Sequence, residues 1–181
     1  MLTLTPPFPF LPGEFRIKRA VEGWELRECA ALRRAVFCEE QKIFDADDRD
    51  DIDRRAIPIA AIACLLGMPE QVVGTVRVHA LEEDVWQGSR LAVQRPYRRT
   101  AELGTELIRH AVGTAHGLGC RRFLAHVQEQ NVVLFRRLGW RTLGEQILHG
   151  RLHHFMEADL ALYPPRGDVE VVLATALRQA A

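Results

Sequence analysis

The sequence predicts a single α+β domain in which a mixed β-sheet is flanked by helices. Several segments are apolar over the length of a strand, and segments of helical period separate some of them. The length of 181 residues suits one domain with a sizeable core. We expect this domain to span residues 15–164, after a Pro-rich extension at 1–14. A tail follows at 165–181, and a short helix is predicted within it at 169–179.

The first half of the chain predicts a strand, a helix and a hairpin. Apolar and polar side chains alternate over residues 15–20, which predicts an edge strand. Apolar residues recur at helical spacing over 24–40 and predict a helix. Two apolar runs, 57–66 and 71–80, flank a Gly-Met-Pro turn and predict a hairpin. The charged segment before them, 45–55, is expected to be a loop.

The second half of the chain predicts strands with helices between some of them. The glycines at 117 and 119 predict the end of the longer helix. Such an order of elements is typical of a mixed sheet. Expected in order are a strand at 85–93, a helix at 101–116, a strand at 123–128, a short helix at 132–138, and strands at 140–148 and 152–162.

The composition argues against several classes of function. Lys plus Arg and Asp plus Glu both number 24, so the overall charge indicates neither nucleic acid nor an anionic membrane as a partner. No apolar run is as long as a membrane span, and the N-terminus lacks the basic start of a signal peptide. The cysteines show no metal-ligand spacing, so we expect a reducing compartment, no disulfides and a cytoplasmic protein. They are Cys29, Cys38, Cys64 and Cys120.

The most informative stretch is residues 91–108, where a short apolar strand leads through an Arg-rich turn into a helix. The N-terminus of a helix presents free backbone N–H groups and the positive end of the helix dipole, which suits a pyrophosphate. Arg98 and Arg99 would add charge for the phosphate oxygens. The stretch therefore predicts a site for a phosphate-bearing ligand.

This stretch resembles the acetyl-CoA-binding motif of the GNAT superfamily of N-acetyltransferases, Arg-x-x-Gly-x-Gly. The match covers residues 99–104, with Glu102 where the first glycine is usual, and a match shifted to begin at Arg98 is the alternative. Residues 134–141 resemble the second signature of the family, Phe-Tyr-x-x-x-Gly-Phe. Residues 72–78 resemble its Val-Val-Gly-Thr-x-Arg strand. The three segments stand in the order that the family has.

Further segments narrow the resemblance to the ElaA-type branch of the family. Residues 32–41 resemble its Leu-Arg-x-x-Val-Phe-x-x-Glu-Gln opening, and an acidic loop follows at 45–51 as it does in that branch. Residues 150–156 resemble its Gly-Ile-Pro-His-x-x-Met strand. Acyl-homoserine-lactone synthases share the Val-Phe and acidic-loop pattern, which is a more distant similarity.

The resemblance implies the GNAT fold, in which the central strands splay apart and the cofactor lies in the gap. It implies acetyl-CoA as the acyl-donor substrate and the amine of a small molecule as the acceptor. Direct attack by the amine is expected because no cysteine lies in either motif. A homodimer is a further possibility. The positions that the resemblance assigns to the cofactor are Leu91, Ala92, Val93, Arg98, Arg99, Thr100, Ala101, Glu102, Leu103, Gly104, Thr105, Asn131 and Phe135.

Candidate catalytic residues follow from the chemistry of acetyl transfer. Many GNAT enzymes use a tyrosine of the second signature to protonate the leaving thiolate, but Phe135 stands there, so another group or water would serve, or catalysis is absent. Glu40 is a candidate general base, with a solvated helix end as the alternative. His126 is another candidate, with a structural strand histidine as the alternative. Gln128 matches a branch glutamine near the thioester.

The acidic loop could attract a protonated amine. Within it, Asp48 and Asp51 best match the branch pattern. Arg77 also matches, and it could brace these carboxylates or bind an acidic group of the substrate. A solvated or ion-paired loop is the alternative. The histidines within 149–154 lack a convincing metal-ligand spacing, so no metal site is expected.

Three functions are therefore open at the level of the sequence. The leading hypothesis is an N-acetyltransferase that uses acetyl-CoA and a small amine. The second is an enzyme similar to acyl-homoserine-lactone synthases, with a longer acyl donor. The third is a CoA-binding module without catalysis, which Phe135 and Glu102 favour.

Overall fold

The computed structural model describes residues 12–100 and 102–174, and its centre is one mixed sheet of eight strands. Their order across the sheet is β6-β7-β5-β4-β3-β2-β1-β8. β4 and β5 are parallel, and the other neighbouring pairs are antiparallel. The strands are β1 (Glu14–Arg19), β2 (Ile57–Leu65), β3 (Met68–Ala80), β4 (Val85–Val93), β5 (Arg122–Gln128), β6 (Trp140–Leu148), β7 (Arg151–Ala158) and β8 (Val171–Ala174).

Helices cover both faces of this sheet. They are α1 (Gly23–Arg34), α2 (Leu103–Gly117) and α3 (Val132–Arg137), and α1 continues into a π-helical segment at Ala35–Glu40. α2 buries its apolar residues on one face of the sheet, here called the α2 face, and α1 does so on the other, the α1 face. Because both faces of the sheet are covered here, β2 is a nearly continuous apolar run, and residues 72–79 of β3 are all buried.

β4 and β5 separate halfway along their length. Their register begins at Val85 opposite Arg122 and ends at Gly88 opposite Ala125, and within the described chain the two strands do not pair beyond that point. β4 continues to pair with β3, and β5 continues to pair with β7. A gap therefore opens in the middle of the sheet, on the side where β4 leads into the Arg-rich turn.

A β-bulge lies on β4 at the edge of this gap. Between the register pairs Arg77–Ser89 and Thr75–Ala92, β4 contains one residue more than β3. Arg90, within the bulge, has a φ of 55°, which lies in the left-handed region that side-chain-bearing residues rarely adopt. Bulges of this kind redirect backbone groups and are frequent beside functional sites.

The predicted α+β fold with a mixed sheet is confirmed, and each segment predicted as a strand contains one. The predicted helix at 24–40 exists, with its last part in π-helical form. The predicted strand at 152–162 ends earlier, because β7 stops at Ala158 and a helical turn, Leu160–Leu162, follows. None of the helices in the described ranges is long and apolar enough to cross a membrane.

Two predictions about the ends of the domain are wrong. The tail contains β8 rather than a helix at Val171–Ala174, where β-branched residues alternate between half-buried and exposed positions. β8 pairs with β1, so β1 is not the edge strand that its alternating sequence predicts. The rest of the predicted tail helix, from residue 175, and most of the Pro-rich extension, 1–11, lie outside the described residues.

Candidate active site

A cavity of about 270 Å³ occupies the gap between β4 and β5. Residues of both faces of the sheet line it, because the gap removes the backbone that would otherwise separate them. Ser89 and Leu91 of β4 lie on one side of the gap, and His126 and Gln128 of β5 lie on the other. A cavity of this kind, concave and partly apolar, is typical of a small-molecule site.

On the α2 face the wall of the cavity is apolar and aromatic. Phe135 of α3 is buried there, with its ring edge-to-face against Trp140 at a centroid distance of 5.0 Å. Both tyrosines of the chain lie in the described ranges, and neither is among the lining residues. Tyr163 instead accepts a hydrogen bond from Trp140 and donates one to the carbonyl of Leu138. The other lining residues of this wall are Val76, Ile108, Ala111, Val112 and Phe123.

On the α1 face the cavity has a polar floor and an apolar roof. Arg77 lies opposite Ser89, and His79 lies opposite Gln87, so these four side chains of β3 and β4 share one face. His126 of β5 lies on the same face, one residue beyond the last β4–β5 pair. The roof consists of Phe37 in the π-helical segment, Ile43 and Phe44 between that segment and the acidic loop, and Ile52 directly after the loop.

The acidic loop is held against the sheet by arginines from outside it. Asp48 is 1% exposed and lies between Arg33 (2.7 Å) and Arg90 (2.9 Å). Arg77 donates two hydrogen bonds to Asp50, at 2.6 and 2.7 Å. The hydrogen bonds from Arg77 hold the pKa of the Asp50 carboxyl below its usual range. The buried carboxylates are thus paired, which favours the ion-paired alternative for this loop.

Two further placements bear on the predicted acceptor-binding residues. The side chain of Asp51 is 94% exposed and lies 3.7 Å from Arg54, so Asp51 is on the surface and outside the cavity lining. Arg77 does line the cavity, with its guanidinium fully engaged by Asp50 and Ser89. Substrate binding by Asp48 and Asp51 stays a prediction that this geometry does not favour.

Glu40 lies beside the Arg-rich turn rather than in the cavity. Its two carboxylate oxygens accept hydrogen bonds from Arg98 at 2.6 and 2.7 Å. These bonds hold the pKa of the Glu40 carboxyl below its usual range, which weakens it as a base. The next residue, Gln41, does line the cavity and accepts a hydrogen bond from Gln128.

Of the residues predicted to be catalytic, His126 and Gln128 line the cavity. The ring of His126 stacks on Phe155 at a centroid distance of 4.9 Å, and its Nδ1 lies 2.8 Å from Nε2 of Gln146. Burial and the neighbouring His153 lower the pKa of His126, so its imidazole is neutral at pH 7. A neutral imidazole at a cavity wall can accept or pass on a proton.

His79 is a cavity residue that the sequence reasoning missed. It is 1% exposed, and neither of its ring nitrogens has a hydrogen-bond partner among residues 12–100 and 102–174. Burial and the nearby cations Arg77 and Arg55 lower the pKa of His79. The signal available in the sequence was its position two residues after Arg77, which puts both on one strand face.

The turn after β4 presents backbone groups rather than a wall of side chains. The carbonyl of Val93 accepts a hydrogen bond from Arg98, which anchors the turn to the end of β4. Glu102 caps α2 in the left-handed conformation without a side-chain hydrogen bond to the helix. A Cβ built on Gly104 would meet nothing within 4 Å, so the first turn of α2 is open. Thr100 donates no side-chain bond among the described residues, and Ala101 lies outside them.

The side chains of the three β4 residues predicted to contact the donor lie on different faces of the sheet. Leu91 lines the cavity, and Val93 packs with it into the core of the α2 face. Ala92 is buried in the core of the α1 face. Asn131, at the start of α3, also lines the cavity.

Comparison with known proteins assigns the chain to a family. The model of the acetyltransferase (GNAT) family matches residues 26–140, more than half of the chain. The chain belongs to the GNAT acetyltransferase family. Members of this GNAT family use acyl-CoA.

This GNAT protein is similar to one curated relative and to several solved structures. It is 26% identical over 140 residues to the uncharacterized protein YyaT of Bacillus subtilis (strain 168), a match that covers 77% of this chain and 92% of YyaT. ElaA of Escherichia coli is 17% identical with a TM-score of 0.66, over 80% of this chain and 98% of ElaA. An acyl-CoA N-acyltransferase from Pseudomonas aeruginosa is 20% identical with a TM-score of 0.65, over 80% of this chain and 98% of that one. The predicted resemblance to GNAT proteins and to ElaA is confirmed.

The structure explains why a glycine is usual where this GNAT chain has Glu102. The φ and ψ of Glu102 are 51° and 34°, a left-handed conformation that costs a side-chain-bearing residue free energy and glycine almost none. The turn therefore keeps the backbone path of the motif without its glycine. The side chain of Glu102 is exposed beside the N-terminus of α2. Its negative charge would repel a phosphate bound at this end of the helix.

Proposed function

We propose that the protein transfers the acetyl group of acetyl-CoA to the amine of a small molecule, by direct attack of the amine on the thioester. One observation carries this proposal: a single continuous cavity passes through the parted strands and joins an apolar wall to a polar floor. Donor and acceptor can therefore enter from opposite faces of the sheet and meet in the gap.

The donor would lie along β4, with its pyrophosphate at the Arg-rich turn. At the N-terminus of α2 the N–H of Leu103 donates to the carbonyl of Thr100, and the N–H groups that follow it would face the pyrophosphate. Arg98 and Arg99 supply positive charge beside them. The open space at Gly104 lets phosphate oxygens approach the backbone.

The reacting carbonyl would lie at the bulge of β4. Beyond Gly88 the backbone of β4 has lost its β5 partner, so N–H groups near Leu91 can donate to the thioester oxygen. Such donors stabilise the negative charge that develops on that oxygen as the amine attacks. None of the four cysteines, all within the described ranges, lines the cavity, which supports attack without an acyl-enzyme.

Proton transfer would involve His126. The C–N bond forms as the amine attacks, and the C–S bond breaks as the tetrahedral intermediate collapses. His126 can take the proton that the amine nitrogen loses and return it to the leaving thiolate. This role requires the proton on Nδ1, facing the amide oxygen of Gln146, so that the other ring nitrogen is free to accept. In the structure the amide nitrogen of Gln146 faces Nδ1 at 2.8 Å, so the role requires the Gln146 amide in the reversed orientation.

A second candidate donor is a longer acyl-CoA, as in the hypothesis of an enzyme similar to acyl-homoserine-lactone synthases. The apolar wall that Ile108, Val112 and Phe123 contribute favours it, because this wall could bury additional methylene groups. The distinction concerns the length of the acyl chain and not the site of transfer.

Thiol release from acyl-CoA donors tests the proposed function. Acetyl-, hexanoyl- and decanoyl-CoA are each incubated with a panel of primary amines, and products are identified by mass spectrometry. Turnover that is fastest with acetyl-CoA supports the proposal, and faster turnover with the longer donors supports the second candidate. Tight CoA binding by calorimetry without turnover of any donor would instead support a CoA-binding module.

A further inference from the structure

His79 is a buried polar residue of the cavity whose hydrogen-bonding capacity is unused. It is 1% exposed, it lines the cavity, and both of its ring nitrogens lack a partner in the described part of the chain. Buried polar atoms are rarely left in this state, so such an atom calls for a specific explanation. A ligand group that enters the cavity would supply the missing partner.

The surroundings of His79 restrict the charge of that group. The closest charged side chain on its strand face is Arg77, whose guanidinium is neutralised by Asp50 and Asp53. Asp48 is in turn neutralised by Arg33 and Arg90, so the carboxylates and guanidiniums of the cluster offset each other. Arg55, the other cation near His79, is exposed to solvent, so a charged ligand group next to His79 would find no buried opposite charge that is free, and its burial would be unfavourable.

The position of His79 restricts which part of the acceptor it can reach. It lies opposite Gln87, behind the point at Gly88 where the strands part. The bulge at Arg90 and Leu91 lies three to four residues further along β4, about 10–13 Å at the rise of a β-strand. His79 is therefore at the closed end of the gap, away from the thioester.

From this arrangement we propose that His79 determines acceptor specificity by hydrogen-bonding an uncharged hydroxyl or carboxamide of the acceptor, at its end remote from the reacting amine. A neutral imidazole has one N–H donor and one acceptor nitrogen, and these groups offer the matching acceptor and donor. Ile52 and Phe44 form the roof over the aliphatic part between the two ends. The inference rests on the proposed function, since it names the class of acceptor for that site.

Matched pairs of amines test the proposal in the whole protein. Aminopentanol is compared with hexylamine, and aminobutanamide with methylpentylamine, each pair having the same number of heavy atoms. With acetyl-CoA, the wild type should show at least about a tenfold higher kcat/KM for the polar member of one pair, because buried polar groups disfavour a ligand that cannot pair them. In His79→Leu this ratio should fall to about one, and His79→Asn, which keeps a donor and an acceptor, should keep part of it.

His110→Leu is the matched control for this substitution. His110 is also 1% exposed and has an unpartnered Nδ1, but it lies in α2 and does not line the cavity. Its replacement should leave the ratio unchanged. Thermal unfolding separates a structural role from recognition, because Leu in place of an unpaired buried imidazole should keep or raise the Tm. A ratio that is equal in wild type and His79→Leu overturns the proposal, as does the same loss of ratio in both leucine variants.

A second readout does not depend on turnover. The ring ¹⁵N resonances of His79, assigned by their absence in His79→Asn, are followed as aminopentanol, aminobutanamide or hexylamine is added to the CoA-bound protein. A shift with one of the polar amines and none with hexylamine supports the role of His79 even if no amine is acetylated, in which case the proposed function fails and this inference stands. No shift with either polar amine overturns the inference, whatever the turnover.

Discussion

At the scale of single residues, Glu102 shows how a departure from a motif can be tolerated. Its left-handed backbone supports the turn that opens α2, and its exposed carboxylate faces the end of the helix dipole where phosphates are expected. We expect Glu102→Gly to raise the free energy of unfolding by up to about 1 kcal/mol relative to Glu102→Ala, because glycine adopts this conformation without strain.

Both variants remove the charge, so both should bind CoA more tightly than the wild type. Urea unfolding and calorimetry with CoA measure the two effects separately. Equal stability of the glycine and alanine variants would contradict the left-handed conformation at this position.

Glu40 gives the second prediction at this scale, because its two possible roles predict different kinetics. As a partner of Arg98 it adjusts the charge of the pyrophosphate turn, whereas as a base it would act on the amine. We expect Glu40→Gln to retain wild-type turnover and to bind CoA as tightly or more tightly, since Arg98 is then free for phosphate.

Loss of a general base would instead lower turnover by about a hundredfold and leave CoA affinity intact. Steady-state kinetics with saturating donor, together with CoA calorimetry, distinguish the two. Arg98→Lys serves as the companion variant, because it keeps the charge and loses the two-pronged contact.

At the scale of elements, Gly104 at the N-terminus of α2 affects both the stability of the protein and its binding of CoA. A helical glycine is less stable than alanine by about 0.5–1 kcal/mol, and the space around its missing Cβ is open. Gly104→Ala should therefore raise the stability of the protein and at the same time weaken CoA binding, because the methyl group lies where phosphate oxygens approach.

Gly104→Val should weaken CoA binding further. Thermal unfolding measures the expected gain in stability, and calorimetry measures the expected loss of CoA affinity. If Gly104→Ala is more stable and binds CoA as tightly as the wild type, the pyrophosphate does not bind at this turn.

The same scale shows what the sequence could and could not reveal. Strands buried on one or both faces, such as β2, β3 and β4, were predictable because their apolar runs are long and end at turns. β8 was not, because four residues carry too little periodicity and its pairing with β1 depends on a partner more than 150 residues away.

The candidate site shows the same limit for side chains. The pyrophosphate turn was predictable because its signal is local. The pairing of the acidic loop was not, because Arg33, Arg77 and Arg90 are distant in sequence and only folding brings them to Asp48 and Asp50. His79 was missed for the same reason, since one histidine in a strand shows its meaning only beside a cavity.

At the scale of the whole molecule, the ion pairs that Arg33, Arg77 and Arg90 form with the acidic loop link this loop to the rest of the fold and make stability depend on pH. Burial raises the pKa of Asp53, but the bonds from Arg33, from the backbone of Asp50 and from Arg77 outweigh it and leave that pKa well below its usual range. The pKa of Asp50 is lowered as well. A carboxyl with a lowered pKa in the folded state stabilises the protein above its unfolded-state pKa, near 4, and this contribution is lost as the pH falls below that value.

We therefore expect the unfolding free energy to decrease below about pH 4, and to do so less steeply in Asp53→Asn, which is less stable at neutral pH. Urea unfolding between about pH 2 and pH 7 provides the measurement. The exposed Asp51→Asn is the control, and it should follow the wild-type curve. If the unfolding free energy of Asp53→Asn falls with decreasing pH as steeply as that of the wild type, other carboxyls cause the acid sensitivity.

The parting of β4 and β5 also has a mechanical consequence. Within residues 12–100 and 102–174, the sheet consists of a three-stranded part, β6-β7-β5, and a five-stranded part, β4-β3-β2-β1-β8, whose edge strands β5 and β4 pair at only four positions. An extended ligand arm lying in the gap can bond to both parts and act as a substitute strand between them. Donor binding would then stiffen the whole sheet, so that amides of β4 and β5 on opposite sides of the gap exchange their hydrogens more slowly together, and the acceptor would meet a site that its co-substrate has completed.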